Sequence, residues 1–424
     1  MTQEPDPGRP WRLGLVLATT IFTAALGVLF RNPQLTALAE ALGCSLGLAW
    51  LWARISLAGL EVSRSAPAQA SEDEWIRVTL TLRQTGPLPA LRVELLDRFV
   101  ADALFERADA VGRLERGQAV VLTFERPCAR GRGLFSLGPV ELTVQDPFGL
   151  FRLSRTVPLM DEVVVYPLPL SLQTLGLASE LERAFRGEGS QPHAGQGTQL
   201  LGLRELRAGE RASRIHWRAS ARLDRLVVME LEAPSRSEVV IFLDLDRGSL
   251  RGVGRGSNVE IAIRLAAAVA HFALERGHSC GLVGDDGTPH WLPPKGGARQ
   301  RFQILDTLAR LQPQGEVDFE TLLRRGGARV PAGSCVVLLF NRYEVEPDTL
   351  TELWASWSRR GVRALVLVVD DRRLLAHQWA GERSESEEPV SAVCWRLGIP
   401  FLEVERAQDL EKQQEPGRRE EVAT

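Results

Sequence analysis

The residues best suited to chemistry stand where hydrophobic runs end. Val239, Val240, Ile241, Phe242 and Leu243 form an unbroken apolar run that stops at Asp244, and Asp246 follows two residues later. Later runs close in the same way: Asp285 and Asp286 after 280–284, Asn341 after 335–340, Asp370 and Asp371 after 364–369. Such runs read as buried strands of a parallel sheet, and ligands of these sheets bind beyond the carboxyl ends of the strands. Carboxylates gathered there suit two tasks. They can supply oxygens to Mg²⁺, which wants near-octahedral coordination. Alternatively, a carboxylate can act as a nucleophile or as a general acid–base group.

A different chemistry is written into residues 197–222. Arg204, Arg207, Arg211, Arg214, Arg218 and Arg222 stand among only two acids, Glu205 and Glu210. From Arg211 onward the spacing predicts a helix, with Arg211, Arg214, Arg218 and Arg222 sharing a face and Trp217 on another side. A guanidinium is costly to bury alone, so these arginines need carboxylates, carbonyls, phosphates or water. Over 204–225 there are seven arginines against Glu205, Glu210 and Asp224, an excess of four.

Other constellations are thin. The six histidines include no HxH or HxxxH pair, and His216, between Arg214 and Arg218, reads as a solvated or hydrogen-bonding helix residue. Cys44, Cys128, Cys280, Cys335 and Cys394 are scattered and form no CxxC, which fits neither a disulfide framework nor a zinc site and suits a reducing compartment. The glycine-rich stretches 252–256 and 187–197 lack the lysine-hydroxyl ending of a phosphate loop and the strand that leads into a dinucleotide loop.

Several elements must position these groups. The chain has 424 residues, enough for two or three domains, and a net charge of −3, which argues against a nucleic-acid binder. Residues 13–30 are uncharged and 35–53 nearly so, with Arg31, Asn32, Pro33 and Gln34 between them. The pattern predicts a transmembrane α-hairpin within 1–65, with Trp50 and Trp52 at the lipid–water boundary and Glu40 as the one flaw. Arg9, Arg12, Arg54 and Arg64 flank the pair and Arg31 alone occupies the turn, so both termini are expected in the cytoplasm. Short period-two runs broken by Gly and Pro predict an antiparallel β-sandwich over 70–168. Within it, Asp146, Pro147, Phe148 and Gly149 form a tight-turn signature. Residues 169–235 connect to an α/β domain over 236–405, and 406–424 form a charged, loose tail.

The segment 197–222 resembles the signature of the bacterial family named "domain of unknown function 58". Gly197, Leu203, Arg204, Gly209, Arg214, Ile215, Trp217, Ser220, Ala221 and Arg222 fit its pattern, whereas Gln199, Leu200, Leu206 and Glu210 replace an acid, Phe, Tyr and Asp. The succession Arg132-Gly133, Leu137-Gly138-Pro139, Asp146-Pro147-Phe148-Gly149-Leu150-Phe151 and Val165-Tyr166-Pro167 is similar to the same family, and the resemblance covers most of 70–405. It implies a protein anchored in the inner membrane of a bacterium, with a von Willebrand factor type A-like (Rossmann-like) domain. It also implies work beside a MoxR-type AAA+ ATPase and other membrane proteins. Such domains often hold Mg²⁺ through Asp-x-Ser-x-Ser; here only Asp244 survives, with Asp246 and Gly248 at the hydroxyl positions. The Asp-x-Asp also resembles haloacid-dehalogenase-like phosphatases. That resemblance implies Asp244 as nucleophile toward a phosphoryl group, Asp246 as general acid, further acids holding Mg²⁺ and a lysine nearby, for which Lys295 is the only candidate in 236–405, although Gly248 replaces the usual Thr or Val.

These readings converge on a non-enzymatic, membrane-anchored interaction scaffold without a cofactor, with the phosphatase as the alternative. For the arginine-rich segment three roles stay open. It can lock its neighbours together by arginine–carboxylate pairs with Trp217 in an apolar slot. It can bind an acidic partner. It can rest on the anionic surface of the lipid bilayer, where each cation contributes about 1 kcal/mol.

Overall fold

The computed structural model describes residues 9–101, 107–186, 194–205, 216–223, 225–232, 236–369 and 388–404. The chain divides into two compact units, Met1–Tyr166 and Pro167–Thr424.

The first unit opens with helices α1 (Arg9–Leu29) and α2 (Pro33–Ala58), both long and apolar enough to cross a membrane. Asn32 caps α2 by accepting a hydrogen bond from the Gln34 amide, and Pro33 starts the helix where its missing N–H is harmless. Gly27 lets the two helices approach: a Cβ there would lie 2.8 Å from Thr36. The strands follow as β1 (Leu60–Ser65), β2 (Gln69–Ser71), β3 (Trp75–Gln84), β4 (Ala90–Phe99) and β5 (Arg107–Leu114). They continue as β6 (Ala119–Pro127), β7 (Gly133–Gln145), β8 (Arg152–Val157) and β9 (Asp161–Tyr166).

These strands form two sheets around one core, ordered β1-β3-β6 and β2-β9-β7-β4-β5, with β8 also on β7. Alternation explains the core. Ile76, Val78, Leu80 and Leu82 of β3 are buried against Val93, Leu95, Leu142 and Val144, each burial contributing about 1.5–3 kcal/mol. Two details depart from the sequence reading. The β2–β9 pair is parallel, and residues 60–65, grouped there with the hairpin, are strand β1, antiparallel to β3. The reason is that α2 continues to Ala58 and enters the sheet after a single glycine, Gly59, whose missing side chain admits Gly86.

The second unit contains α3 (Ala178–Arg186), β10 (Ala194–Glu205), α4 (Trp217–Leu223) and β11 (Val227–Glu232). Its main sheet is built from β12 (Glu238–Leu243), β13 (Ser279–Asp285), β14 (Pro289–Lys295), β15 (Cys335–Phe340), β17 (Arg363–Val369) and β19 (Phe401–Val404). A two-residue pair, β16 (Glu344–Val345) and β18 (Glu388–Pro389), lies apart. The helices between are α5 (Asn258–Glu275), α6 (Ala298–Arg310), α7 (Phe319–Gly327), α8 (Pro347–Arg359) and α9 (Val390–Leu397).

The sheet order is β14-β13-β12-β15-β17-β19, parallel except for β14 at one edge. Val239, Ile241 and Leu243 face α5 and α6, while Val240 and Phe242 face α7, α8 and α9. Both faces are therefore covered, which is why the central strands are apolar throughout. Strand β14 and helix α7 escape the sequence pattern. Pro289, Pro293 and Pro294 argue against a strand, yet an edge tolerates them. Helix α7 is nine residues long and ends in Gly326 and Gly327, which pack directly on Phe242 and Trp357.

Candidate functional site

The chain passes from β12 to its neighbour β13 on one side, then returns to β15 on the other. This reversal opens a crevice at the carboxyl ends of β12 and β15. Asp244 and Asn341 follow those two strands and meet there. Asp244 is fully buried, and both its carboxylate oxygens are engaged: Oδ1 accepts from the Asp246 amide (3.1 Å) and Oδ2 from the Asn341 amide (3.3 Å). The Asn341 side-chain Nδ2 donates back to the Asp244 carbonyl (2.6 Å). Asn258, at the start of α5, donates through Nδ2 to the carbonyls of Ser249 (2.7 Å) and Asn341 (2.8 Å), tying both loops together. Ser257 caps that helix by accepting from the Glu260 amide. The Ser-Asn pair before a long apolar helix carries this capping signal in the sequence.

Arg342 fills the middle of the cluster. Its Nη2 lies 2.5 Å from Asp246 Oδ2, its Nε 3.7 Å from Asp244 Oδ2 and its Nη1 3.8 Å from Glu320 Oε2 on α7. The sequence offers no spacing that would place Glu320 here; only the packing of α7 does. Burial lifts the Asp244 carboxyl to about 6, against the downward pull of Arg342 and of the Asp246 and Asn341 amides. The surrounding carboxylates in turn raise the Arg342 guanidinium above its ordinary value, so it stays charged.

These residues do not fit Mg²⁺. Asn341 Oδ1 is a buried acceptor with no hydrogen-bond partner among the described residues, which a cation could use. The place beside Asp244 and Asp246, however, already holds a guanidinium, and a dication there would face it at contact distance. Asp246 is further committed to capping the Gly248 amide (2.9 Å). Among the described residues no cluster of three or more His, Cys, Asp or Glu is arranged to hold a metal.

Among the described residues, no phosphoryl-transfer arrangement is assembled around Asp244. A nucleophile must be reachable, and Asp244 is closed off on all sides. Lys295 pairs with Cys280 near the start of β13, at the opposite end of the sheet from Asp244. Asp285 caps the Gly287 amide, and Asp286 holds His290 (2.9 Å), so each serves its own turn. Asp370 and Asp371 lie outside the described residues.

A glycine sets the approach of the neighbouring loop. Gly315 exchanges hydrogen bonds with Leu245 (3.1 Å) and Arg247 (2.9 Å), and a Cβ there would lie 2.4 Å from the Asp285 carbonyl. Gly315→Ala is expected to destabilise the chain by about 1–3 kcal/mol through this overlap, read as a lower thermal midpoint. Gly256→Ala, where a Cβ meets nothing within 4 Å, is the control that should leave it in place.

The arginine-rich segment is only partly described. Gly197 and Arg204 lie in β10, which pairs with β11 through irregular register; 187–197 is thus not wholly loop. Gly209, Glu210 and Arg214 lie outside the described residues. The helix predicted from Arg211 is described only as α4, beginning at Trp217. His216 starts it, its Nδ1 accepting from the Ala219 amide (3.1 Å). Ser220 is buried and accepts from the Val227 amide (3.0 Å), docking the helix on β11. Trp217 is 66% exposed and fills no apolar slot within its unit, because the helix turns its Ser220 side to β11. Arg218 and Arg222 are exposed as well. In the first unit, buried Asp146 holds its turn closed: Oδ2 accepts from the Phe148 amide (2.8 Å) and Oδ1 from the Phe151 amide (2.6 Å), while Gly149 adopts φ +69°. Pro147 occupies the first corner, and Phe148 projects outward.

Residues 202–373 match the family model described as "Protein of unknown function DUF58". The match starts inside the arginine-rich signature and stops before β19, a shorter span than the sequence resemblance suggests. The chain is also similar to "Uncharacterized protein YeaD" of Bacillus subtilis, 27% identical over 248 residues, covering 55% of this chain and 58% of that protein. The match thus spans less than two thirds of the relative's length. Among solved structures, the CARDB domain of a Pyrococcus furiosus protein aligns at 15% identity over 25% of this chain and 86% of its own, with a TM-score of 0.19. The sporulation control protein Spo0M of Bacillus subtilis aligns at 12% identity over 29% and 55%, with a TM-score of 0.18. At such scores neither likeness bears on function.

Proposed function

We propose, on the premise that residues 202–373 carry the DUF58 segment, that this chain is a membrane-anchored adaptor that binds other proteins and performs no chemistry at its strand-end acids. Arg342 carries the reading. A guanidinium seated among Asp244, Asp246 and Glu320 does the electrostatic work of a bound cation without its Lewis acidity, so the crevice is stable but catalytically closed. The von Willebrand factor type A-like description of this domain belongs to the same proposal, supported by the strand order and by the place of Asp244. Helices α1 and α2 would hold the chain in the inner membrane of a bacterium, with Arg9, Arg12 and Arg54 keeping the folded parts on the cytoplasmic side. A MoxR-type AAA+ ATPase is the proposed partner, and the exposed Trp217, Arg218 and Arg222 are the proposed contact.

Crosslinking in native membranes followed by mass spectrometry tests this. The expected result is recovery of an AAA+ ATPase, reduced when Trp217 and Arg218 are replaced by Ala. Recovery of no partner, together with phosphate-ester hydrolysis that disappears in Asp244→Asn, would replace the adaptor by an enzyme.

A further inference from the structure

We infer that the turn formed by Asp146, Pro147, Phe148 and Gly149 is a second membrane contact, which sets Phe148 into the interfacial layer of the bilayer that α2 enters. This rests on the proposed membrane anchoring. The argument is one of place. Ser56 of α2 donates to the Pro89 carbonyl (3.0 Å), and Gln84 donates to the carbonyls of Ser56 (3.2 Å) and Leu88 (2.7 Å). Arg155 of β8 reaches the Leu60 carbonyl. Leu91 pairs with Gln145, the residue before the turn. The end of α2, the 85–89 loop and the 146–151 turn therefore share one end of the two-sheet body. Ala53 is wholly buried in that body, while Leu48, Trp50 and Leu51 are exposed, so α2 emerges between these positions.

The closed 146–151 turn presents Phe148 at the same end of the sheets from which α2 leads to Trp50 and Trp52, the aromatic pair suited to the lipid–water boundary. Phe148 is 66% exposed, more than any other large apolar residue in the sheet part of the unit among the described residues. Nothing is left loose: Asp146 locks the turn through two amides, so the ring is presented rigidly. Arg92, exposed beside it, suits anionic headgroups, whereas Arg152 is paired with Glu94.

The test uses the full chain in phosphatidylcholine–phosphatidylglycerol vesicles. Cys44, exposed midway along α2, carries an environment-sensitive nitrobenzoxadiazole label in one preparation. In a second, Cys44→Ser is combined with Phe148→Cys, and in a third with Val121→Cys on β6. Quenching by lipids with a doxyl group near the headgroup or deep in the chain is then read. The expected result is quenching of position 44 by the deep quencher, of position 148 by the shallow one, and of position 121 by neither. Quenching at 44 without quenching at 148 overturns this inference and leaves the anchor standing. No quenching at 44 overturns both.

Discussion

Replacing Arg342 by methionine is expected to destabilise the chain by about 3–5 kcal/mol, the usual result of leaving one member of a buried ion pair uncompensated. The partner left behind is Asp244, fully buried at the end of β12. Adding Asp244→Asn to that variant should recover much of the loss, since an amide there needs no counter-charge. Chemical denaturation of the four chains, read as a double-mutant cycle, checks this. The dependence on pH follows from the same carboxyl. Its folded value of about 6 lies above the ordinary value of roughly 3.9, so between those values the folded chain binds more protons than the unfolded one. Its contribution to stability therefore falls as pH rises through that window, by roughly 3 kcal/mol in all, and is level above it. Asp244→Asn should remove that slope. Arg342→Met removes a pull that holds the carboxyl down, so the window should extend above 6 and the deficit should shrink on acidification. Millimolar Mg²⁺ should leave the unmutated chain's midpoint unmoved, because a guanidinium already stands where the ion would go. A midpoint that rises with Mg²⁺ and falls with chelator would overturn the reading of Arg342 as the resident cation.

Arg64→Met is expected to have a comparable effect, about 3–5 kcal/mol, on the first unit. Arg64 has no exposed side chain. It reaches Asp97 (2.6 Å), Asp161 (2.8 Å) and the carbonyls of Leu137 (2.9 Å) and Leu159 (2.6 Å). One guanidinium thus fastens β1, which continues from α2, to β4, β7 and β9. Burial already holds the Asp97 carboxyl above its ordinary value despite Arg64 and Arg126, so losing Arg64 leaves a costly charge in the core. Arg64→Lys should recover only part of the loss, since an ammonium has three donors and cannot span the set. Arg64→Met with Asp97→Asn should recover more. Arg77→Met, which removes the exposed pair with Glu125, should stay within about 0.5 kcal/mol. Thermal unfolding of the full chain measures all four. An Arg64→Met chain as stable as the unmutated one would show that the network contributes nothing net.

What the sequence determined by itself follows from short-range physics. The apolar stretches that become α1 and α2, the alternation that becomes β3, and the buried runs that become β12, β15 and β17 are each legible because burial on one side or both writes its period into adjacent residues. Strand ends were legible too, and with them the candidate acids, since a buried run must stop where its chain meets polar groups. Which of those acids meet was not legible. Asp244, Asn258, Glu320, and the adjacent Asn341 and Arg342 come from four separate elements, and only the reversal of strand order at β12 and β15 brings them together. Nor could spacing tell that β14 tolerates its prolines by lying at an edge, or that Trp217 is turned outward by the docking of Ser220. The same holds for Arg64, whose place near the second apolar helix reads as a membrane-flanking charge until the sheets close around it. Periodicity reports the environment of one element at a time; a charge's partners are set by elements distant in sequence, and those the tertiary structure alone decides.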